Sequence, residues 1–244
     1  MINELDKNIL SRLLKQLGCE LILVDRTIST NDDLKKIKNI NNTICEVALM
    51  QEGGRGSNGR PFVSEQASGI YFSILIENNN YKYITEKAAV CVHKVFKKIY
   101  NKNLKIKWVN DLYYDNKKVC GILCENIMQD NSIIVGIGIN LFRIDEKVLS
   151  DNDLTKIAGY IFDNNEDVDK NIIIYEIIKL ILESLGKNEI DEIYKNDNLI
   201  LGKEVLYRGD KYIATKVNNM GHLIITNDKT SVEIVSRNDI EIMI

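Results

Sequence analysis

The chain has 244 residues, 45% hydrophobic and 27% charged, with a formal net charge of −3, which is material for one large core domain and at most a small appendage. Residues Leu199 to Ile244 carry six basic and six acidic side chains, leaving 26 against 29 for the remainder. Neither part is basic, which argues against a nucleic-acid partner.

The N-terminal stretch MINELDKNILSRLLKQLG interleaves charges with Leu5, Ile9, Leu13 and Leu17. It predicts an amphipathic helix closed by Gly18, and neither a signal peptide nor a membrane span. ELILVD (20–25) predicts a strand. STNDDLKKIK predicts a helix start capped by Ser29 or Thr30, with acids in its first turn. TICEVALM (43–50) predicts a strand running into a glycine-rich loop, and GIYFSILIE (69–77) the strand that leaves it. TEKAAVCVHKVFKKIY (85–100) places Ala88, Cys91, Val92, Val95, Phe96 and Ile99 on one helical face and leaves His93 outside among lysines. LKIKWV, KKVCGILCENI and SIIVGIGINL predict closely spaced strands, and KNIIIYEIIKLILESLG and NEIDEIYK two further helices. This mixture predicts an α+β domain around a largely antiparallel sheet. After Leu199, alternating residues between turn signals predict a small all-β unit of five strands, with His222 facing solvent. The five cysteines have no metal-ligand spacing, so they read as free thiols of a reducing cytosol.

Three clusters carry chemistry. GGRGSNGRPF (53–62) joins bare backbone to Arg55 and Arg60, which suits carboxylate and phosphate oxygens. By itself it is equally a solvated hairpin. KWVNDLYYDNKKVCGILCE (107–125) puts Asn110 and Asp111 at a strand end and Lys118 just past a turn; on plainer terms YDNKK is an exposed turn. VGIGINL (135–141) spends two glycines inside a strand, which weakens it unless something lies close against them, and Asn140 follows as an exposed amide or a bend in the sheet.

In order and separation, STN (29–31), GRGSNGRPF (54–62), KWVND (107–111), KVCGILCE (118–125) and GIGIN (136–140) resemble the biotin protein ligases. The resemblance runs from about Leu21 to the end of the chain. It implies a class II aminoacyl-tRNA-synthetase-like catalytic domain over 1–198, with a mixed, largely antiparallel sheet, and a small C-terminal SH3-like β-barrel over 199–244. The implied enzyme is cytoplasmic and ATP-dependent. It makes biotinyl-5′-AMP and passes biotin to a lysine of a biotin carboxyl carrier protein or domain, with biotin and ATP as substrates and Mg2+ as the metal.

By matching position, Lys118, Arg55 and Asp111 are the implied catalytic residues. Biotin is implied to meet Ser29, Thr30, Asn31, Gln51, Gly54, Arg55, Gly56, Lys118 and Gly121. ATP and the adenylate are implied to meet Arg55, Arg60, Phe62, Asn110, Asp111 and Asn140, with Asp111 and Asn140 also facing magnesium. Three positions depart from the family pattern. Ser57 stands for an arginine, which predicts looser retention of the adenylate. Val109 stands for a proline, and Phe62 for a tryptophan. About twenty residues precede the first strand, too few for a helix-turn-helix domain, so the expectation is a monofunctional ligase that binds neither DNA nor membrane. Family members can pair as homodimers through sheet edges, which this sequence does not test. Two rivals remain: a lipoate or octanoate ligase, lacking the paired GRGSNGR and KWVND signatures, and a non-catalytic biotin- or carrier-binding derivative, which would need none of Lys118, Asp111 and Asn140.

Overall fold

Residues 4–38, 41–56, 62–78, 80–143, 146–151, 157–163 and 166–242 are described by the computed structural model. Seven strands build the larger sheet: β1 (Cys19–Thr27), β2 (Thr43–Gln51), β3 (Gly69–Glu77), β4 (Lys105–Lys107), β5 (Asp111–Tyr114), β6 (Lys117–Ile127) and β7 (Ser132–Asn140). Their spatial order is β1-β2-β3-β7-β6-β5-β4. β1 runs parallel to β2, and every other neighbouring pair is antiparallel. The predicted α+β class and mixed, largely antiparallel sheet are therefore present.

Strand alternation decides what each face of this sheet carries. β3 sends Ile70, Phe72, Ile74 and Ile76 into the main core. That face is covered by α1 (Lys7–Lys15), α3 (Ile84–Tyr100) and α5 (Lys170–Ser184). The opposite face receives Leu75, which joins Leu34 and Ile134 in a small separate cluster beneath α2 (Thr30–Leu34). With both faces covered, β3 is buried from Gly69 to Ile76 and reads as a continuous apolar run. On the α2 face, neighbouring strands set Asp111, Gly121, Gly138 and Tyr71 side by side, and one row further Leu123, Gly136, Ser73 and Glu46.

The helices correct several sequence expectations. In α1 the fully buried residues are Leu10 and Leu14; of the predicted stripe, Leu5 and Leu17 pack against the core while Ile9 is 40% exposed. Asp6 caps this helix, its carboxylate accepting from the backbone N–H of Asn8 and Ile9 at 2.8 and 2.9 Å. Gly18 closes the turn at φ +66°, a backbone region that other residues rarely adopt. Ser29 occupies the N-cap position of α2 but its side chain caps nothing. His93 is not a surface residue: it is 7% exposed and its Nδ1 lies 2.6 Å from the Leu104 carbonyl oxygen. Ile99, placed on the apolar face, is 36% exposed instead, and in the last turn Tyr100 packs against the core.

A second sheet of five antiparallel strands follows: β8 (Glu204–Tyr207), β9 (Asp210–Val217), β10 (Leu223–Thr226), β11 (Ser231–Ile234) and β12 (Glu241–Ile242), ordered β11-β10-β9-β8-β12. Its turn at 218–222 docks on the larger unit, where Trp108 Nε1 donates to the Gly221 carbonyl at 2.8 Å. This contact gives the buried indole N–H its partner. His222 in that turn is half-buried rather than solvent-facing, with Nδ1 2.7 Å from Glu233.

Candidate active site

The three glycine positions on the α2 face form a floor. A Cβ on Gly136 would sit 2.1 Å from Asn31 Oδ1, and one on Gly138 would sit 2.4 Å from the Phe62 ring. At Gly121 a Cβ would meet the same ring at 3.2 Å and Lys118 Cε at 3.4 Å. The strand glycines are thus explained by close neighbours on one side. Over this floor lies a hollow of about 30 Å³, lined in part by Thr30, Asn31, Gln51, Arg55, Phe62 and Ser73. That is room for one or two waters. Phe62, Gln51 and Arg55 also line an adjoining groove of about 660 Å³, so they form the partition between the two. Phe62 stands edge-on to Tyr71, with ring centroids 6.5 Å apart. A ligand reaching the glycine floor must displace the Phe62 ring.

Beside the floor runs an unbroken polar chain. Gln51 donates to Ser64 Oγ at 3.0 Å and accepts from the Thr30 backbone N–H at 2.9 Å, with the Thr30 hydroxyl oxygen 3.2 Å away. Thr30 Oγ1 lies 2.6 Å from Ser73 Oγ, which donates to Asn31 Oδ1 at 2.5 Å. Asn31 Nδ2 donates to Glu125 at 2.7 Å, Glu125 accepts from Lys35 at 2.8 Å, and Lys35 also donates to Asp32 at 3.0 Å. Asp32 in turn accepts from Arg55 Nη2. Burial works against the Lys35 ammonium, but Glu125 and Asp32 outweigh it and hold its pKa above the usual lysine value. Beneath α2, burial and then the neighbouring Asp33 carboxylate push Glu46 up to about 7.

At the other end of the floor, Lys118 Nζ lies 2.6 Å from Asp111 Oδ1. That oxygen is buried and has no well-aligned hydrogen-bond donor, so the contact is chiefly one of charge. Asn140 donates to the Gly159 carbonyl at 3.1 Å, while its buried Oδ1 has no partner among the described residues. Ser132 Oγ is likewise unpartnered, at the far end of β7, and no physical account of it follows from its surroundings. Asn110 gives its amide to the Ile122 carbonyl at 2.7 Å, which makes it a brace between strands. The Trp108–Val109 peptide is cis, and Val109 accepts from the Tyr194 hydroxyl at 2.7 Å. The hollow is therefore not bare positive charge: each described cation already has a carboxylate beside it.

Of the residues predicted from sequence, Ser29, Thr30, Asn31, Gln51, Arg55, Gly56, Phe62 and Gly121 line one hollow. Gly54 packs behind it, with its carbonyl accepting from the Phe62 N–H at 2.8 Å. Lys118, Asp111 and Asn140 lie at the neighbouring strand ends. Arg60 and Ser57 lie outside the described residues, so the reading of Ser57 as a lost arginine does too. The sequence reading gave no role to Asp32, Lys35, Ser64 and Ser73, and none to Glu125 within KVCGILCE. Ser73 had a signal, as the sole polar side chain in GIYFSILI. A cavity of about 390 Å³ between α3 and the end of α5 lies elsewhere. Its four acids outnumber three lysines, which does not suit an anionic ligand.

The model of the biotin/lipoate A/B protein ligase family matches residues 21–141, the span holding β1 to β7 and all of the polar chain. The chain belongs to this family. It is 28% identical over 196 residues to the bifunctional ligase/repressor BirA of Salmonella typhimurium, covering 75% of this chain and 61% of that protein. With BirA of Bacillus subtilis the figures are 31% over 134 residues, 51% and 41%. The chain thus spans about three fifths or less of the curated relatives it matches. Its fold follows that of the Aquifex aeolicus biotin protein ligase in complex with biotin and ATP, with a TM-score of 0.74 and 27% identity over 91% of this chain and 98% of that one.

Proposed function

We propose that this chain is a biotin protein ligase. It joins biotin to ATP as biotinyl-5′-AMP and transfers the biotinyl group to a lysine of a biotin carboxyl carrier protein or domain. The observation that carries this reading is one glycine-floored, part-apolar hollow that Arg55 lines beside the polar chain from Gln51 to Glu125, with Lys118 Cε 3.4 Å from where a Cβ on Gly121 would sit at its edge. The Aquifex protein of matching fold is described in complex with biotin and ATP, which supports the same pair of substrates here.

The neutral ureido ring needs paired donors and acceptors, which Ser29, Thr30, Asn31 and Gln51 supply. The aliphatic tail needs an apolar trough, and displacement of Phe62 from Gly121 and Gly138 opens one with the ring as its wall. A biotin carboxylate oxygen then attacks the α-phosphorus of ATP, a P–O bond forms, and pyrophosphate leaves with the electron pair of the broken P–O bond. Two anions meet in this step, so Arg55 and Lys118 lower its barrier by neutralising carboxylate and phosphate oxygens. In the second step the unprotonated acceptor amine attacks the acyl carbon, AMP leaves and the amine loses a proton. Lys118 faces the acyl oxygen, where negative charge develops.

The oxygens of Asp111, whose Oδ1 faces the Lys118 ammonium, and of Asn140, whose buried Oδ1 has no hydrogen-bond donor among the described residues, suit magnesium, which takes few protein oxygens together with water and phosphate. These two residues would hold it, and when bound it supplies charge neutralisation on the phosphates. We further place the boundary of the catalytic part near 198/199, shortly before the second sheet begins at Glu204. A cytoplasmic setting agrees with the five free cysteines among the described residues. No helix among those residues is long and apolar enough to cross a membrane. The test is pyrophosphate release with Mg·ATP. Release that requires biotin, and that lipoate does not support, is expected; equal release with lipoate, or none with biotin, contradicts the reading.

A further inference from the structure

Arg55 is the first side chain of the glycine loop to line the hollow, and among the described residues its guanidinium is held by a contact from outside the loop. That contact comes from α2. Asp32 accepts from Arg55 Nη2 and, on the same carboxylate oxygen, from Lys35 at 3.0 Å. Lys35 is in turn held by Glu125 at 2.8 Å, and Glu125 by Asn31 at 2.7 Å. Asp32 therefore follows directly on Thr30 and Asn31, the residues on the ureido side, and touches the cation on the carboxylate side.

We propose that Asp32, braced by Lys35 and Glu125, is a positioning residue for Arg55 that sets the distance between the two ends of the biotin site. This rests on the ligase reading above. Stability is not the purpose of the contact. The two side chains are 32% and 44% exposed, and exposed ion pairs contribute little to folding. Orientation is a different matter, because a guanidinium free to rotate meets a carboxylate only part of the time. The biotin carboxylate is already anionic in the ground state, so loss of aim weakens binding before it weakens chemistry. Asp32 does not touch the reacting atoms.

Biotin-dependent pyrophosphate release from the full chain tests this, using Asp32→Asn, Arg55→Ala and the double variant. Asp32→Asn is expected to raise the KM for biotin about tenfold while kcat falls less than about threefold. In the Arg55→Ala background the same change is expected to alter KM by less than about twofold, since its route of action is gone. The melting temperature of Asp32→Asn should stay within about 2 °C of the parent. An unchanged KM in the single variant overturns the inference while leaving the ligase reading intact. So does a full tenfold loss on top of Arg55→Ala, or a loss that tracks a fall in melting temperature. A parent protein that releases no pyrophosphate with biotin overturns both.

Discussion

The two ends of the hollow are built on opposite principles. On the α2 side, each link from Ser64 through Gln51, the Thr30 backbone N–H and hydroxyl, Ser73, Asn31, Glu125 and Lys35 to Asp32 is a hydrogen bond within the protein. At the β5–β7 end, Asp111 Oδ1 meets only the Lys118 ammonium, at 2.6 Å, and the buried Asn140 Oδ1 has no hydrogen-bond donor among the described residues. A buried acceptor left unpaired costs about 1–3 kcal/mol, so at Asn140 the protein carries that cost where the proposed ligand is charged. Under the proposed function, a neutral ureido ring would be recognised by groups already held in place, whereas phosphates and their metal would bring the missing partners themselves.

Substitutions at the two ends should therefore fail differently. The largest effect is expected at Lys118. Lys118→Ala should lower the rate of adenylate formation by about 100- to 1000-fold, as removal of one donor to a developing negative charge does, with the biotin-induced rise in melting temperature largely retained. Near-parental adenylate synthesis would remove Lys118 from the chemistry. Next in size, Asp111→Asn should raise the KM for ATP about tenfold and leave that for biotin near its parental value; equal effects on both would merge the two ends into one.

Gly136→Ala sharpens the comparison from the other side. Its methyl would fall 2.1 Å from Asn31 Oδ1, so the preformed end has to shift. Overpacking of this kind costs about 1–3 kcal/mol, a fall of several degrees in melting temperature. Biotin-induced stabilisation should vanish with it, while ATP binding measured by calorimetry persists. Loss of both ligands together would mean that the floor is one unit.

The smallest expected effect concerns Glu46, 3% exposed under α2. Its folded pKa of about 7 lies above the ordinary glutamate value of 4.5. The neutral form is thus favoured by folding, and its contribution is complete below pH 4.5 and lost as pH rises through 7. Glu46→Gln should remove that slope and raise stability at pH 8 by about 1–2 kcal/mol. Parallel pH–stability curves for parent and variant would show that Glu46 does not titrate in this window.

The sheet was legible because alternation and turn residues mark strands even without long-range information. GIYFSILIE named β3 to the residue, and the glycines of GIGIN announced a close neighbour without revealing that it was Asn31 and Phe62. Local periodicity could not show that Leu10 and Leu14 are the fully buried residues of α1, which depends on which side meets β1. His93 was misplaced because its ring crosses to the Leu104 carbonyl, a contact made by chain folding back after α3. Asp32 and Lys35 looked like ordinary first-turn and surface charges. Their significance comes from Arg55 and Glu125, which lie 23 and 90 residues further along the chain.

The most direct test of the account is the intact mass of a biotin carboxyl carrier domain after incubation with this protein, biotin and Mg·ATP. The account predicts a gain of one biotinyl group on a single lysine, requiring ATP and nearly abolished by Lys118→Ala. A carrier domain that keeps its mass while the protein still binds biotin would contradict it, and would leave a binding protein in place of a ligase.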